Sequence, residues 1–162
     1  MVLSSLFAAL TAVCSWIAIP LPPISFTLQT FAVLLTLGVL GGKWGTASVL
    51  LYLRLGVVGL PVFAGFYSGA AALLDITGGF LWGFLAAALV YWGLEKLGKL
   101  PAMVIAMLVC YACGCFWFTV YTGDAGWGAA VMTCVVPYLI PDAVKLWLAF
   151  TLSRRIRKSI KP

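Results

Sequence analysis

The sequence contains no histidine, and its 162 residues include only four acids: Asp75, Glu95, Asp124 and Asp142. Without histidine, and with so few carboxylates, the usual hydrolytic metal sites and imidazole acid–base chemistry lack their donors. Charge of either sign is scarce. Charged residues make up 9% of the chain and hydrophobic ones 64%, whereas soluble chains carry roughly a quarter charged residues. No soluble domain of this length needs that much apolar surface, and a mean hydropathy of +1.15 reads as a polytopic helical membrane protein. The apolar runs are continuous rather than alternating, which excludes a transmembrane barrel pattern. No cationic stretch precedes the first apolar run, so Val2–Ile19 is expected to be a retained span and not a cleaved leader. The G-x-x-x-x-G-K-S/T loop is missing as well, because Trp44 follows Lys43, and no ATP site of that kind is encoded.

Five cysteines are present, and Cys110 and Cys113 have C-x-x-C spacing. No histidine or basic neighbour lowers their thiol pKa, so they read as small buried apolar residues. A membrane thiol oxidoreductase using this pair with a quinone is the competing reading from another functional class.

The chain has room for six spans and short loops, with no soluble domain. The spans are expected at about Val2–Ile19, Leu28–Gly41, Trp44–Gly59, Gly79–Leu97, Pro101–Thr122 and Pro141–Ile156. Ile19–Thr27 contains Pro20, Pro22 and Pro23 and reads as a stiff extended loop. Leu60–Gly78 is broken by Gly and Pro and carries Phe63, Phe66 and Tyr67. A long apolar loop of this kind is usually functional. Gly128–Val136 is too short to cross a bilayer and is expected to re-enter it or lie on its face.

Net charge is +6. Threading six spans puts Lys43, Lys96, Lys99, Arg154, Arg155, Arg157, Lys158 and Lys161 on one side, which is eight of the ten cations. The opposite loops hold none. This is topology by the positive-inside rule rather than a nucleic-acid surface, and it puts both termini in the cytoplasm.

Arg54 and Lys145 are left within the membrane, together with Asp142. Asp142 lies twelve residues before Arg154, or ~18 Å of helix. Ionisable groups at such depth face a cavity or a partner. Asp142 and Lys145 stand three residues apart, on one helical face. Spacing alone leaves a structural salt bridge at a helix start and a binding site equally open. By the same count Arg54 stands at similar height. It either neutralises Asp142, snorkels outward, or lines one outward-open pocket with Asp142 and Lys145. Ala8 and Ala12, one turn apart, form a small-residue pair suited to close helix approach.

The run Ile19-Pro20-Leu21-Pro22-Pro23 followed by Phe26-Thr27-Leu28-Gln29-Thr30-Phe31-Ala32-Val33-Leu34-Leu35 resembles the biotin-specific S components, BioY, of energy-coupling factor (ECF) transporters. The likeness continues at Leu51-Tyr52-Leu53, Gly59 to Gly65, Thr77-Gly78-Gly79-Phe80, Gly83-Phe84 and Pro141-Asp142-x-x-Lys145, and so covers nearly the whole chain. It departs at Asp75-Ile76, where the family has Gly-Pro, and at Arg54, where an apolar residue is expected.

The resemblance implies an all-α, six-helix membrane subunit forming a single domain over residues 1–162, in a bacterial-type cell membrane. It implies no catalysis and no cofactor. The ligand it implies is biotin, captured from outside and contacted by Asp142 and Lys145, with Trp16, Phe63, Phe66 and Tyr67 as candidates to cover the apolar ring. The implied partners are a transmembrane coupling protein, docked through Ala8 and Ala12, and two ATPase subunits. An S component for a different vitamin is the nearest alternative.

Overall fold

A computed structural model describes residues 2–19, 24–123 and 126–160. Seven α-helices account for most of it: α1 (Val2–Trp16), α2 (Gln29–Leu40), α3 (Gly42–Val57), α4 (Gly78–Leu94), α5 (Lys99–Thr122), α6 (Trp127–Cys134) and α7 (Leu139–Ile160). Two-residue strands β1 (Ala18–Ile19) and β2 (Phe26–Thr27) pair antiparallel, Ala18 opposite Thr27 and Ile19 opposite Phe26. Pro20, Pro22, Pro23, Asp124 and Lys161 lie outside the described residues.

α2 is the central element. Nine of its twelve residues are buried, including the unbroken run from Ala32 to Val39. A helix apolar all round belongs in a protein interior or a membrane. α2 packs against α1, α3 and α7, which leaves it little outer surface. Thr36 is buried inside it because its hydroxyl donates back to the Ala32 carbonyl at 2.7 Å. The turn into α3 needs Gly41, whose φ of 80° lies in the left-handed region. Glu95, from the end of α4, then accepts from the Gly42 N–H at 2.7 Å. This caps α3, which has no side-chain cap of its own.

α4 and α5 approach closely through glycines. A Cβ on Gly79 would meet the Trp117 Cβ at 2.2 Å, and one on Gly83 the Cys110 carbonyl oxygen at 3.0 Å. Two glycines one turn apart let the backbones come together. α5 also packs against α6, around a small second core that includes Cys115, Phe118, Ala130 and Cys134.

Among the described residues three stretches are long and apolar enough to cross a membrane: Gly78–Leu97, Lys99–Thr122 and Trp127–Ser159. α1 and α2 are shorter apolar helices. The structure moves several expected limits. The first helix stops at Trp16, not Ile19, because residues 18–19 become extended to pair with 26–27. The short helix is Trp127–Cys134 rather than residues 128–136. The last begins at Leu139, two residues before Pro141. Pro141 therefore falls in the first turn, where its missing N–H has no intrahelical acceptor to lose.

Residues 60–77 contain two short 3-10 turns, Ala64–Phe66 and Ala70–Leu73. The Gly69 N–H ties this cap to the Gly56 carbonyl at 2.7 Å. Gly56 also makes room for Phe63, whose ring would lie 2.1 Å from a Cβ there. Gly65 and Phe66 both have positive φ, 70° and 63°, the second an uncommon conformation for a bulky residue.

Candidate functional site

A cavity of about 270 Å³ opens at the end of the bundle that carries the β-hairpin, the cap and α6. The cap roofs it with Phe63, Ala64, Tyr67 and Asp75. The hairpin flank, Ile24 to Thr27, and α6 with Tyr138 form one side. Phe80 and Phe84 of α4 and Met107 of α5 supply apolar wall. The polar groups come from Gln29 and Thr30 of α2, Tyr111 of α5, and Asp142 and Lys145 of α7.

Asp142 and Lys145 are 3% and 5% exposed, and such groups must be paired. Lys145 Nζ donates to Asp142 Oδ1 at 2.7 Å and to the Thr27 carbonyl at 2.6 Å. It also stands 3.7 Å from the centroid of the Phe26 ring, close enough for a cation–π contact. Tyr111 Oη donates to Asp142 Oδ2 at 2.5 Å. Both carboxylate oxygens are thus engaged, by groups from α5 and α7. Among the described residues Asp142–Lys145 is the one ion pair, and no buried side-chain nitrogen or oxygen lacks a partner. Three elements, β2, α5 and α7, converge on a charged pair that is already oriented, as a binding constellation requires.

The hairpin is held to this site twice. Lys145 grips Thr27, and the Tyr138 hydroxyl donates to the Ile24 carbonyl. Tyr138 also stacks on Phe26, with ring centroids 6.2 Å apart. In the roof, Phe63 meets the Tyr52 ring edge-on, with ring centroids 5.6 Å apart.

Of the residues singled out from sequence, Asp142, Lys145, Phe63 and Tyr67 line the cavity. Trp16, Phe66 and Arg54 do not. Trp16 and Phe66 stack on each other at 5.3 Å, and Trp16 Nε1 donates to the Pro61 carbonyl at 2.8 Å. They buckle the cap to α1 from outside, and Phe66 is 63% exposed. Arg54 sits three residues from the end of α3, and Asp142 three from the start of α7. Around Arg54, Tyr52, Leu53 and Gly56 are the buried positions of α3, and a step of ~3.6 residues per turn leaves Arg54 on the outer face, where it is exposed.

Ala8 and Ala12 also depart from the expectation that they form an outward surface. They are 1% and 7% exposed and belong to the main core. The outward face of α1 carries Leu6, Ala9, Leu10 and Val13 instead.

Tyr111 is not singled out by sequence, because a tyrosine within an apolar helix looks like ordinary packing. The usable signal is indirect, since a buried carboxylate demands a second donor. Cys110 is buried and lines the cavity, whereas Cys113 is half-buried one turn along the same helix. Gln29 reads in the sequence only as a helix opener. Phe26 and Thr27 are legible as part of a motif but not as contacts of Lys145.

Comparisons with known proteins bear on this site. The chain is 39% identical to the "Biotin transporter BioY" of Thermotoga maritima, over 96% of this chain and 94% of the relative. It is 37% identical to the "Probable biotin transporter BioY" of Pyrococcus horikoshii, over 96% and 94%. Among solved structures it matches the S-component for biotin from an ECF-type ABC transporter, with a TM-score of 0.87 and 25% identity, over 96% of this chain and 88% of that one. The sequence profile of the BioY family matches residues 1–162. With that match end to end, and the S-component fold around a cavity built on Asp142 and Lys145, the chain is a member of the BioY family of transport proteins.

Proposed function

We propose that this chain is the biotin-binding S component of an ECF-type transporter. It captures biotin at the outer face of the cell membrane and delivers it through a separate transmembrane coupling protein driven by two ATPase subunits. The observation that carries this reading is the cavity of about 270 Å³ with the Asp142–Lys145–Tyr111 constellation in its wall, in a chain of this family. Its apolar walls with a few convergent polar groups are those of a small-molecule site.

The chemistry suits the vitamin. Biotin offers two ureido N–H donors, a carbonyl acceptor, an apolar thioether ring and a carboxylate. Asp142 accepts strongly from N–H groups, and Lys145 donates to a carbonyl or carboxylate. Phe63 and Tyr67 from the roof, with Phe80 and Phe84 from α4, suit the ring.

All 162 residues are taken as one domain with six spans, α1 to α5 and α7, α6 lying at the outer surface. α2 is only ~18 Å long, but its burial among other helices relieves it of contacting lipid over a full span. Both termini are cytoplasmic in this reading, supported by the cation asymmetry. α1 meets the coupling protein with its outward face around Ala9. Ala8→Trp then disrupts folding, whereas Ala9→Trp spares binding and blocks uptake.

Titration of the purified protein in detergent with biotin, thiamine, riboflavin and nicotinate tests the assignment. Saturable binding of biotin alone supports it, and binding of another vitamin in its place replaces it. A reactive Cys110–Cys113 pair under native alkylation favours the oxidoreductase reading instead. Cysteines introduced singly at Ser68 and Ser159 report topology in intact cells, and external labelling at position 159 overturns the orientation.

A further inference from the structure

Gln29 opens α2, with its backbone N–H on the Thr27 hydroxyl at 3.4 Å. It is 4% exposed, yet it lines the cavity. Its side-chain nitrogen donates to Tyr52 Oη at 2.7 Å, and Tyr52 Oη in turn donates to the Val62 carbonyl at 3.0 Å. A phenol has one proton. With that proton on the Val62 carbonyl, Tyr52 can only accept from Gln29, and turning the amide round would set oxygen against oxygen. Ser15 holds the same Val62 carbonyl at 2.6 Å, so the arrangement is braced from α1, α3 and the cap.

In the structure the amide stands with its nitrogen on Tyr52 Oη in the core and its carbonyl oxygen elsewhere. No described group donates to Oε1, and no enclosed side-chain oxygen is left without a partner. Oε1 accordingly opens into the cavity. An amide oxygen that faces the cavity and receives no donor from the protein is available to a ligand N–H. The Asp142 carboxylate in the same cavity already receives Lys145 and Tyr111.

We propose that Gln29 is a specificity-determining residue, whose amide oxygen accepts a hydrogen bond from one N–H of a cyclic urea. This rests on the biotin reading and deepens it. The two N–H groups of a cyclic urea point to opposite sides, so one carboxylate cannot take both. Asp142 on α7 and Gln29 on α2 offer an acceptor each, while Lys145 suits the carbonyl between. Gln29 is neutral, so it adds no negative charge to a cavity that already holds Asp142 and would receive the ligand's own carboxylate.

The test pairs changes on protein and ligand. Biotin and its two isomers methylated at one or the other ureido nitrogen are titrated against wild type, Gln29→Leu and Tyr52→Phe in detergent, with thermal unfolding as a check on folding. Gln29→Leu is expected to weaken biotin about ten- to a hundred-fold, as for a polar group left unpaired. In that variant the penalty for methylating one nitrogen shrinks to about threefold or less, while the penalty for the other persists. Tyr52→Phe keeps the core volume and frees the amide. It is expected to weaken biotin about threefold and to shrink the same penalty, which keeps the test valid if Gln29→Leu does not fold. Equal methylation penalties in wild type and in the folded variants overturn the role of Gln29. Wild type that fails to bind biotin overturns the transport reading instead, so the two failures are distinguishable.

Discussion

α2 and α7 meet at both ends, in opposite ways. At one end Gly38 lies so near α7 that a Cβ on it would come 2.7 Å from the Ser153 Cβ and 2.3 Å from the Met103 Cε. Ala102 and Ala106 of α5 and Ala149 of α7 are fully buried and belong to the main core. Lys99 Nζ closes this end over the Gly38 carbonyl at 3.5 Å. At the other end Gln29 faces Asp142 and Lys145 across a cavity. Small side chains let the helices touch, whereas long polar ones hold them apart and need partners. The cavity is thus the open end of a helix pair whose other end is closely packed, and at the open end β2, α5 and α7 hold Asp142 and Lys145 in place.

The open end breaks most readily. Asp142→Asn and Lys145→Ala are each expected to weaken biotin binding by ~2–5 kcal/mol, because truncating one member strands the other buried charge. That is ~30-fold to several-thousand-fold in Kd. The double variant should fall short of the sum, since both changes dismantle one constellation. Wild-type affinity in both single variants, by titration in detergent, would remove the site assignment.

Tyr111→Phe takes away the 2.5 Å hydrogen bond to Asp142 while keeping the ring. Loss of a hydrogen bond to a charged group is worth ~1.5–3 kcal/mol, or about ten- to a hundred-fold in biotin affinity. An unchanged Kd would mean that Lys145 alone orients the carboxylate.

Gly38→Leu attacks the closely packed end. Overpacking a filled core costs ~1–3 kcal/mol, so thermal unfolding in detergent should shift down. Biotin affinity of the folded fraction should stay near wild type. A normal melting temperature would show that the two ends are not differently packed.

Arg54→Ala sharpens the contrast by its small effect. An exposed side chain on the outer face of α3 should change affinity by about twofold or less, for biotin and a neutral biotin amide alike. A selective loss for the carboxylate form would return Arg54 to the site.

Much of the fold is legible in the sequence. Proline, glycine and apolar run length mark the helices to within a few residues, because a chain with so few polar side chains has few other ways to satisfy its backbone in lipid. Asp142 and Lys145 are conspicuous for the same reason, as ionisable residues in an apolar run. The faces are not legible. Soluble helices declare their inner face by amphipathic spacing, but α2 and α4 are apolar all round. On α1 and α3, Ala8 and Ala12 can be read outward although they pack inward, and Arg54 inward although it points outward, because an alanine fits either face and a lone arginine does not mark which face meets a neighbour. Tyr111 and Gln29 are hidden for a related reason, since a polar tip on a largely apolar helix has no visible partner until the helices are assembled.

The sequence by itself determined the class of protein, the order of its helices, the family likeness and the one charged pair, because each of these depends on composition and spacing along the chain. Tertiary structure alone decided which residues surround that pair. Tyr111 is 31 residues from Asp142, Thr27 is 118 from Lys145, and Gln29 is 23 from Tyr52. Such contacts depend on which face each helix turns to its neighbours, and in a membrane-type chain that choice is made by glycine-sized gaps and hydrogen-bond partners rather than by the separation of apolar from polar residues.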